Sequence, residues 1–261
     1  MGIVNVTPDS FSDGGLFLDA GAAIEHGREL IAEGAHILDI GGESTRPGAT
    51  PVTQEEEIER VLPVIEALAT SGARISIDTT KAAVARRALA GGATIVNDVA
   101  AFRFDPDMAA VTAEAGADCV LMHMLGEPRT MQENPRYDEV VSDVKAFLEE
   151  RLAYAVDQGV PEDKVWLDPG IGFGKTLEHN LELIARLDEI VAIGRPVVFG
   201  ASRKSFLGKL TGRQVDERLA GTIAANIIAH ERGARVFRVH DVAATVDALQ
   251  LASATVSRRD G

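Results

Sequence analysis

Residues 165–175 read V-W-L-D-P-G-I-G-F-G-K, and this stretch indicates how the whole chain folds. The apolar run before Asp168 predicts a short buried strand, and the Pro-Gly pair after it turns the chain away. Two further glycines leave the backbone of the following loop bare. An acid at the end of a buried strand, followed by such a loop, predicts a place where a ligand approaches closely. The simpler alternative is a strand–helix turn in which Asp168 caps the next helix.

The same alternation of a short apolar run and a longer helical pattern recurs along the chain. The runs are rich in Val and Ile, which is typical of strands buried on both faces of a parallel sheet. They cover residues 2–6, 37–40, 75–78, 95–98, 119–122, 165–168, 197–200 and 236–239. Helical patterns follow at 20–33, 54–70, 81–90, 106–115, 137–158, 177–190, 218–231 and 242–254. Eight such units without a linker predict an α/β protein with one domain over 1–261, a (β/α)8 TIM barrel.

Composition limits the classes of function. The net charge of −14 argues against a nucleic-acid binder, which would need a basic face. No apolar run approaches the ~20 residues of a membrane helix, and no signal peptide opens the chain. The single cysteine, Cys119, excludes an internal disulfide. We therefore expect a cytoplasmic protein with no nucleic-acid or membrane partner. No G-x-G-x-x-G follows the first strand, which weakens the alternative of an open dinucleotide-binding sheet.

Polar side chains end almost every predicted strand. In a (β/α)8 barrel these ends meet at one mouth, where functional residues lie. A ring of polar groups there is hard to explain by stability alone, because each desolvated polar group costs free energy unless it is paired. The ring comprises Asn5, Asp39, Asp78, Asn97, Asp98, His123, Asp168, Ser202, Arg203, Lys204, Arg238 and His240.

The predicted ring has two chemical characters. Its acceptors and amide suit a flat heterocycle with several N–H donors, and these residues are Asp78, Asn97 and Asp168. Its positive groups suit phosphate or carboxylate, and these residues are Arg46, Lys204, Arg238 and His240. Ser205 follows them at a predicted helix start, where free backbone N–H groups would hold an anion.

Two connecting loops are long and rich in glycine. Loops of this kind after barrel strands are typical lids over a site. Residues 7–15, T-P-D-S-F-S-D-G-G, carry Phe11, for which the alternative is an ordinary residue packed under the barrel rim. Residues 41–49, G-G-E-S-T-R-P-G-A, carry Thr45, Arg46 and Pro47.

Taken in chain order, these motifs resemble those of the dihydropteroate synthase family. The matching segments are N-V-T-P-D-S-F-S-D-G-G (5–15), G-G-E-S-T-R-P-G-A (41–49), S-I-D-T (76–79), N-D-V (97–99), L-M-H-M (121–124), D-P-G-I-G-F-G-K (168–175), G-A-S-R-K-S (200–205) and R-V-H-D-V (238–242). The resemblance covers nearly the whole chain, and the first two loop motifs are the most specific.

The resemblance implies a reaction of folate biosynthesis. Members of this family join 6-hydroxymethyl-7,8-dihydropterin diphosphate to 4-aminobenzoate, which forms 7,8-dihydropteroate and releases diphosphate. The resemblance also implies Mg²⁺ as cofactor and a homodimer, for which the apolar helix 220–228 is the expected contact. The chain starts directly at its first strand, so we expect the lower end of the barrel to be less covered than in members with preceding residues.

The resemblance also implies roles for individual residues. The pterin would be held by Asp78, Asn97, Asp168 and Lys204, with Val99, Met122 and Phe173 against its ring and Gly200 allowing close approach. The diphosphate would be held by Asn5, Thr45, Arg46, Arg238 and His240, with Asn5 beside Mg²⁺. The 4-aminobenzoate pocket would be formed by Phe11, Pro47 and Ser205. The groups expected to act in catalysis are Asp168, Lys204, Arg238 and Arg46, and no general base is needed because an aniline nitrogen is already a sufficient nucleophile.

Two departures from the family pattern and two alternatives remain open. Ala100-Ala101-Phe102 stands where Ser-Gly is frequent, and Leu125 where a polar residue is common, so the pterin pocket wall could differ. A methyltetrahydrofolate:corrinoid methyltransferase would keep the pterin-binding acids but would not need the two loops. A non-catalytic pterin-binding paralogue would be expected to lose Arg46, Phe11 or Lys204, and all three are present.

Overall fold

Parallel strands and helices alternate through the chain, as the sequence predicts. The computed structural model describes residues 1–7, 16–44, 50–128 and 130–256. The strands in these ranges are β1 (Gly2–Asn5), β2 (Ile37–Gly41), β3 (Arg74–Asp78), β4 (Ile95–Asp98), β5 (Asp118–Met122), β6 (Val165–Asp168), β7 (Val198–Phe199) and β8 (Val236–Phe237). Each of these strands overlaps a predicted strand. The agreement arises because the short Val- and Ile-rich runs are the segments buried on both faces.

Helices follow the strands on the outside of the sheet. They are α1 (Leu16–Ala32), α2 (Gln54–Leu68), α3 (Ala82–Ala90), α4 (Met108–Ala115), α5 (Val140–Asp157), α6 (Leu177–Ala185), α7 (Leu187–Val191), α8 (Ser205–Thr211), α9 (Leu219–Glu231) and α10 (Val242–Val256). The predicted helix 177–190 is divided at Arg186, which ends α6 and precedes α7. Side-chain caps begin three of the helices in the described ranges. Thr53 accepts from the Glu56 N–H, Glu139 accepts from the Ser142 N–H, and Thr176 accepts from the His179 N–H.

The strands close into a ring. Strands β1 to β6 pair in sequence order, and β7 pairs with β8. A bridge between Leu167 and Val197 joins β6 to β7, and another between Gly2 and Val239 joins β8 to β1. The Ile3 N–H donates to the Val239 carbonyl at 3.1 Å across this second joint. The predicted (β/α)8 barrel is therefore confirmed.

The barrel interior changes from apolar to polar along the strands. Its lower end is filled by Ile37, Ile95, Val120, Trp166 and Val198. Because side chains alternate along a strand, the position two residues later on each strand points to the same interior. Those later positions are Asp39, Asn97, Met122, Asp168 and Gly200. The two-residue period thus places apolar packing below and polar groups at the carboxyl-end mouth.

A cavity of about 520 Å³ opens at the opposite, lower end of the barrel. Its lining includes Met1, Ile37, Val236 and apolar residues of α10. The Met1 amine donates to the Phe237 carbonyl at 3.0 Å, and burial lowers the pKa of this amine to about 6. The cavity is thus remote from the polar mouth. None of the helices in the described ranges is long and apolar enough to cross a membrane.

Candidate active site

An arginine lies at the centre of the polar mouth. Arg238, directly after β8, donates through Nε to Asp39 Oδ2 at 2.6 Å and through Nη2 to Asp78 Oδ2 at 2.7 Å. Burial disfavours the charged guanidinium, but the carboxylates of Asp39 and Asp78 raise the pKa of Arg238 above its ordinary value. Burial raises the pKa of Asp78 to about 7, and Arg238 opposes this shift. The guanidinium therefore favours the ionised form of Asp78 against the effect of burial.

Asp39 also organises the neighbouring strands. It is fully buried and accepts from Ser76 Oγ at 2.6 Å and from Asn97 Nδ2 at 3.1 Å. A carboxylate that accepts from three side chains is held in one orientation. Asp39 thereby fixes the side chains of both Asn97 and Arg238, two of the residues predicted to bind ligand.

A second acid and a lysine lie on the other side of the mouth. Asp168 is buried at the end of β6, and its Oδ1 accepts from the Gly170 N–H at 2.7 Å. Lys204 Nζ donates to the Ile171 carbonyl and lies 4.5 Å from the centroid of the Phe173 ring. Burial lowers the pKa of Lys204 to about 8, while the Asp168 carboxylate acts in the opposite direction. Burial raises the pKa of Asp168, and Lys204 counters it.

Gly200 lies between these groups. A methyl group at its α-carbon would lie 3.8 Å from Lys204 Nζ, 4.0 Å from Asp168 Oδ2 and 3.8 Å from Arg238 Cβ. The backbone of Gly200 therefore faces the same space as the acid and the two basic residues. A flat ligand can approach this surface closely because no side chain covers it.

An apolar wall adjoins the charged groups. Val99, Met122, Met124 and Met131 form a buried cluster, and Phe173 packs against it. This arrangement brings together the three residues that the family resemblance assigns to a ring-binding surface: Val99, Met122 and Phe173. Thioether and aromatic groups of this kind suit contact with a planar heterocycle.

The loop after β6 has an unusual backbone. Gly170, Gly172 and Gly174 have φ values of +66°, +84° and +62°. A methyl group on Gly170 would stand 1.8 Å from the His123 carbonyl oxygen, so the loop passes directly over the end of β5. Glycine is required at this position for both its conformation and its size.

Several strand-end residues predicted for the ring do not serve it directly. Asp98 is fully buried and accepts from the N–H groups of Ala100 and Phe102 at 2.7 and 2.9 Å. His123 contacts Lys175 Nζ, and Arg203 pairs with Asp241. Each is occupied by a partner beneath or beside the mouth. The polar ring is thus narrower than the strand-end pattern predicts.

The departure at Ala100-Ala101-Phe102 has a structural consequence. Ala101 and Phe102 have φ values of +52° and +63°, a region in which glycine carries no steric penalty. The carboxylate of Asp98 and the side chain of Arg151, which donates to the Ala101 carbonyl at 2.9 Å, hold this turn. The turn lies directly after Val99, so it shapes the apolar wall.

The remaining predicted site residues fall into two groups. Asn5 is half-buried at the end of β1, His240 is half-buried with Nδ1 3.0 Å from Ser202 Oγ, and Ser205 is exposed at the start of α8. The predicted residues Phe11, Thr45, Arg46 and Pro47 lie outside the described residues. Beside the second loop, Lys81 Nζ bonds to Glu43 and lies 2.5 Å from Glu57 Oε2, and Glu57 is fully buried.

Two supporting residues are not distinguished by the sequence patterns. The strand-end pattern gives Asp39 no more weight than its neighbours, although its place two residues above Ile37 puts it inside the barrel. The helical pattern places Lys175 at the start of a helix, although this residue is only 3% exposed. A lysine directly after three alternating glycines is the available signal. Within the described ranges, no group of three His, Cys, Asp or Glu residues gathers to hold a metal ion.

Comparison with known proteins identifies several close similarities. The family model described as pterin binding enzyme matches residues 1–240. The dihydropteroate synthase of Escherichia coli strain K12 is 46% identical over 261 residues, covering 100% of this chain and 92% of the relative.

Solved structures agree with these sequence matches. The dihydropteroate synthase of Xanthomonas albilineans with 4-aminobenzoic acid superposes with a TM-score of 0.92 at 49% identity, covering 98% of this chain and 92% of that chain. The same enzyme in complex with 7,8-dihydropteroate gives a TM-score of 0.89 at 46% identity, covering 98% of this chain and 92% of that chain.

Proposed function

The chain belongs to the dihydropteroate synthases, within the pterin binding enzymes, and we propose that its chemistry takes place at the barrel mouth around Arg238, Asp168 and Lys204. It is a transferase of folate biosynthesis that condenses 6-hydroxymethyl-7,8-dihydropterin diphosphate with 4-aminobenzoate to give 7,8-dihydropteroate and diphosphate. The observation that carries the proposed site is the convergence of two acids, two basic residues and a bare glycine beside one apolar wall.

The pterin is assigned to the space between Gly200 and the apolar wall. Asp78, Asn97 and Asp168 offer carboxylates and an amide at the rim of that space, which matches the several N–H groups of a pterin edge. Lys204 supplies a donor for a ring acceptor. Phe173 and Met122 would lie against the faces of the ring, where their contact is largely independent of ring substituents.

The diphosphate is assigned to the basic side of the mouth. Arg238 and His240 lie after β8, and the sequence places Arg46 and Thr45 on the second loop. A guanidinium can bind two phosphate oxygens at once, which favours arginine for this role. These groups would stabilise the negative charge that develops on the departing diphosphate.

The residues present then account for the substitution. The bond between the pterin methylene carbon and the diphosphate oxygen breaks, and the carbon is left cationic but conjugated with the electron-rich pterin. The carboxylate of Asp168 stabilises the positive charge that spreads over the ring. The amine of 4-aminobenzoate supplies its lone pair to form the new C–N bond and then loses a proton to solvent. We assign the aminobenzoate pocket to Phe11, Pro47 and Ser205.

We infer that Mg²⁺ would be held at the mouth through the amide oxygen of Asn5. The amide of Asn5 is half-buried at the end of β1, and Mg²⁺ is usually held by one or two protein oxygens together with substrate phosphates and waters. A site of this kind needs no cluster of acids. When bound, the ion would neutralise charge on the diphosphate.

We also propose that two copies associate through α9. Leu219 and Ile228 on this helix are 40% and 43% exposed, and Leu251 on the adjacent α10 is 69% exposed. The two helices pack against each other, and exposed apolar side chains on neighbouring helices are candidates for such a contact. Sedimentation of the wild-type protein and an Ile228→Asp variant checks this, because the variant should shift toward monomer. The cytoplasmic location expected from the sequence stays a prediction.

A two-substrate assay tests the proposed function. Purified protein is incubated with the pterin diphosphate, 4-aminobenzoate and Mg²⁺, and both diphosphate and dihydropteroate are quantified. Equimolar formation of the two products is expected, and neither should form when either substrate is omitted. Folded protein that releases no diphosphate with both substrates present would contradict the proposal.

A further inference from the structure

A buried lysine lies behind the proposed pterin site. Lys175 is 3% exposed, and its Nζ contacts His123 Nδ1 at 2.9 Å, the Gly170 carbonyl at 2.9 Å and the Phe173 carbonyl at 3.0 Å. Three acceptors match the three protons of an ammonium group. Burial lowers the pKa of this lysine well below its ordinary value, and the Asp168 carboxylate acts in the opposite direction, so the ammonium form depends on Asp168 and on these three acceptors. None of the ion pairs in the described part of the chain involves this lysine, so its partners are neutral groups.

One of the three acceptors, His123, is held in place by aromatic rings. His123 packs edge-on against Phe147 at 4.9 Å between ring centroids, and burial lowers its pKa to about 2. The imidazole is therefore neutral. An ammonium has only protons to offer, so a protonated Lys175 requires Nδ1 to accept and the ring proton to lie on Nε2. The Tyr137 ring also lies beside the lysine, with its centroid 6.0 Å from Lys175 Nζ.

The two carbonyls belong to the loop that carries the proposed pterin contacts. Gly170 also donates its N–H to Asp168 Oδ1, and Phe173 forms part of the apolar wall. A segment with three left-handed glycines has much conformational freedom to lose, so it needs bonds that hold it in one shape. Lys175 supplies two such bonds at once, to carbonyls of residues 170 and 173 of the loop backbone.

Two lysines therefore hold this loop from different sides. Lys204 bonds to the Ile171 carbonyl, and Gly172 passes beneath its side chain, where a methyl group on Gly172 would stand 2.9 Å from Lys204 Cδ. Lys175 bonds to the flanking carbonyls from the interior. All three N–H donors of Lys175 are used by protein acceptors, so it has none left for a ligand. Lys204 borders the space beside Gly200, so of the two lysines it is the one able to reach a ligand there.

We propose that Lys175 is a positioning residue for pterin binding, which fixes Asp168 and Phe173 through the carbonyls of Gly170 and Phe173 without touching the ligand. This inference rests on the proposed function, because it takes Asp168 and Phe173 as pterin contacts. Its consequence is selective: loss of the ammonium should impair the pterin side of the site and spare the aminobenzoate side.

The variant Lys175→Met tests this, because methionine fills most of the lysine volume without donating. Affinity for 6-hydroxymethylpterin, measured by calorimetry, should fall at least ~10-fold, the effect of about 1.4 kcal/mol. The KM for the pterin diphosphate should rise similarly, while the KM for 4-aminobenzoate, measured at saturating pterin diphosphate, should change less than ~2-fold. The bonds of Lys175 go to His123, Gly170 and Phe173, and none reaches Ser205, the described residue of the proposed aminobenzoate pocket. Amide exchange over residues 170–174 should accelerate.

Lys164→Met is the matched control. Lys164 Nζ also donates to a backbone carbonyl, that of Gly116 at 2.7 Å, but it lies before β6 at the lower end of the barrel. This variant should keep wild-type pterin affinity and wild-type exchange in the loop.

A second variant, Lys175→Gln, covers the case in which Lys175→Met does not fold, because its amide retains two N–H donors. It should show a smaller loss of pterin affinity in the same direction. A folded variant with wild-type pterin affinity and unchanged loop exchange would overturn the proposal. So would equal losses for both substrates, or failure of both variants to fold, since either would assign Lys175 to the fold alone. The pterin titration needs no turnover, so an inactive wild-type protein would contradict the proposed function and not this inference.

Discussion

Arg238 and Asp78 form a direct ion pair across the barrel mouth, with 2.7 Å between Nη2 and Oδ2. The same guanidinium binds the fully buried Asp39. One cation therefore compensates two carboxylates, one of which we assign to the pterin. Asp78, which we assign to the pterin, and Arg238, which we assign to the diphosphate, therefore bind each other in this structure. When the proposed substrate binds, the two side chains would contact different parts of the same ligand.

Arg238→Met should destabilise the protein by about 3–5 kcal/mol near pH 8, because removal of one partner leaves buried charges uncompensated. The loss should be smaller at pH 5. Without Arg238 the folded-state pKa of Asp78 rises further above its ordinary value, so the folded state binds more protons and its stability falls as pH rises. Denaturant unfolding at both pH values measures this. The control variant Arg86→Met breaks an exposed ion pair with Glu114 and should cost under about 1 kcal/mol. If Arg238→Met lost the same stability at pH 5 and at pH 8, the charge argument would be contradicted.

Asp168→Asn should reduce turnover severely while the fold is retained. The amide oxygen can still accept from the Gly170 N–H, but the charge that stabilises the developing cation is gone. We expect a loss of about 2–4 kcal/mol in transition-state stabilisation, read from kcat/KM. Asp163→Asn, at an exposed position before β6, should leave kcat/KM unchanged. Near-normal turnover in Asp168→Asn would remove this residue from the mechanism.

Lys204 should produce an alkaline limb in the pH profile of kcat/KM. Burial lowers its pKa to about 8, with Asp168 and Asp78 opposing the shift and Arg238 adding to it. The ammonium that we assign to the pterin is present below this pKa, so kcat/KM should decline as pH rises through about 8. Lys204→Arg keeps its charge and should move the limb to higher pH, whatever its effect on the plateau. A limb that stays near pH 8 in this variant would point to another group.

Binding of 4-aminobenzoate should depend on diphosphate. The family resemblance predicts a pocket that uses Phe11 and Pro47 on the two loops, and it predicts that Arg46 and Thr45 on the second loop bind diphosphate; these four residues lie outside the described ranges. An anion that orders the second loop would also form the aminobenzoate pocket, and such coupling is reciprocal. Calorimetry with and without diphosphate and Mg²⁺ should give affinities that differ at least ~5-fold. Arg46→Ala should remove most of this difference in 4-aminobenzoate affinity, whereas the control Arg86→Ala should leave it unchanged. Equal affinities with and without diphosphate in the wild type would indicate a preformed pocket.

Gly170→Ala should destabilise the protein by at least about 3 kcal/mol. The added methyl would stand 1.8 Å from the His123 carbonyl oxygen, so the backbone of β5 or of the loop must move. Gly116→Ala isolates the conformational part of the effect, since Gly116 has φ +59° but nothing within 4 Å of the added methyl. It should cost only about 1 kcal/mol in thermal or denaturant unfolding. Equal losses for the two variants would show that the close approach to His123 is unimportant.

The fold and the proposed chemistry are largely readable from the sequence. The alternation of short apolar runs with helical patterns predicts the barrel, because strands buried on both faces carry few polar residues except at their ends. The same rule places Asp78, Asn97 and Asp168 at one mouth. The glycines of residues 168–175 mark the loop that passes over the end of β5.

Only the tertiary structure decided which polar groups are paired with each other and which border the space beside Gly200. Asp39 and Arg238 are 199 positions apart, and they meet because ring closure brings β8 beside β1 and β2. Asp98 and His123 have the same strand-end pattern as Asp168, yet each is taken up by a neighbour. The two-residue period of a strand determines whether a side chain points into the barrel and how far along the strand it lies. Sequence patterns do not tell which of Lys175 and Lys204 is buried and which borders the proposed ligand site. That depends on which carbonyls of the folded loop each side chain can reach, and the closed barrel sets those distances.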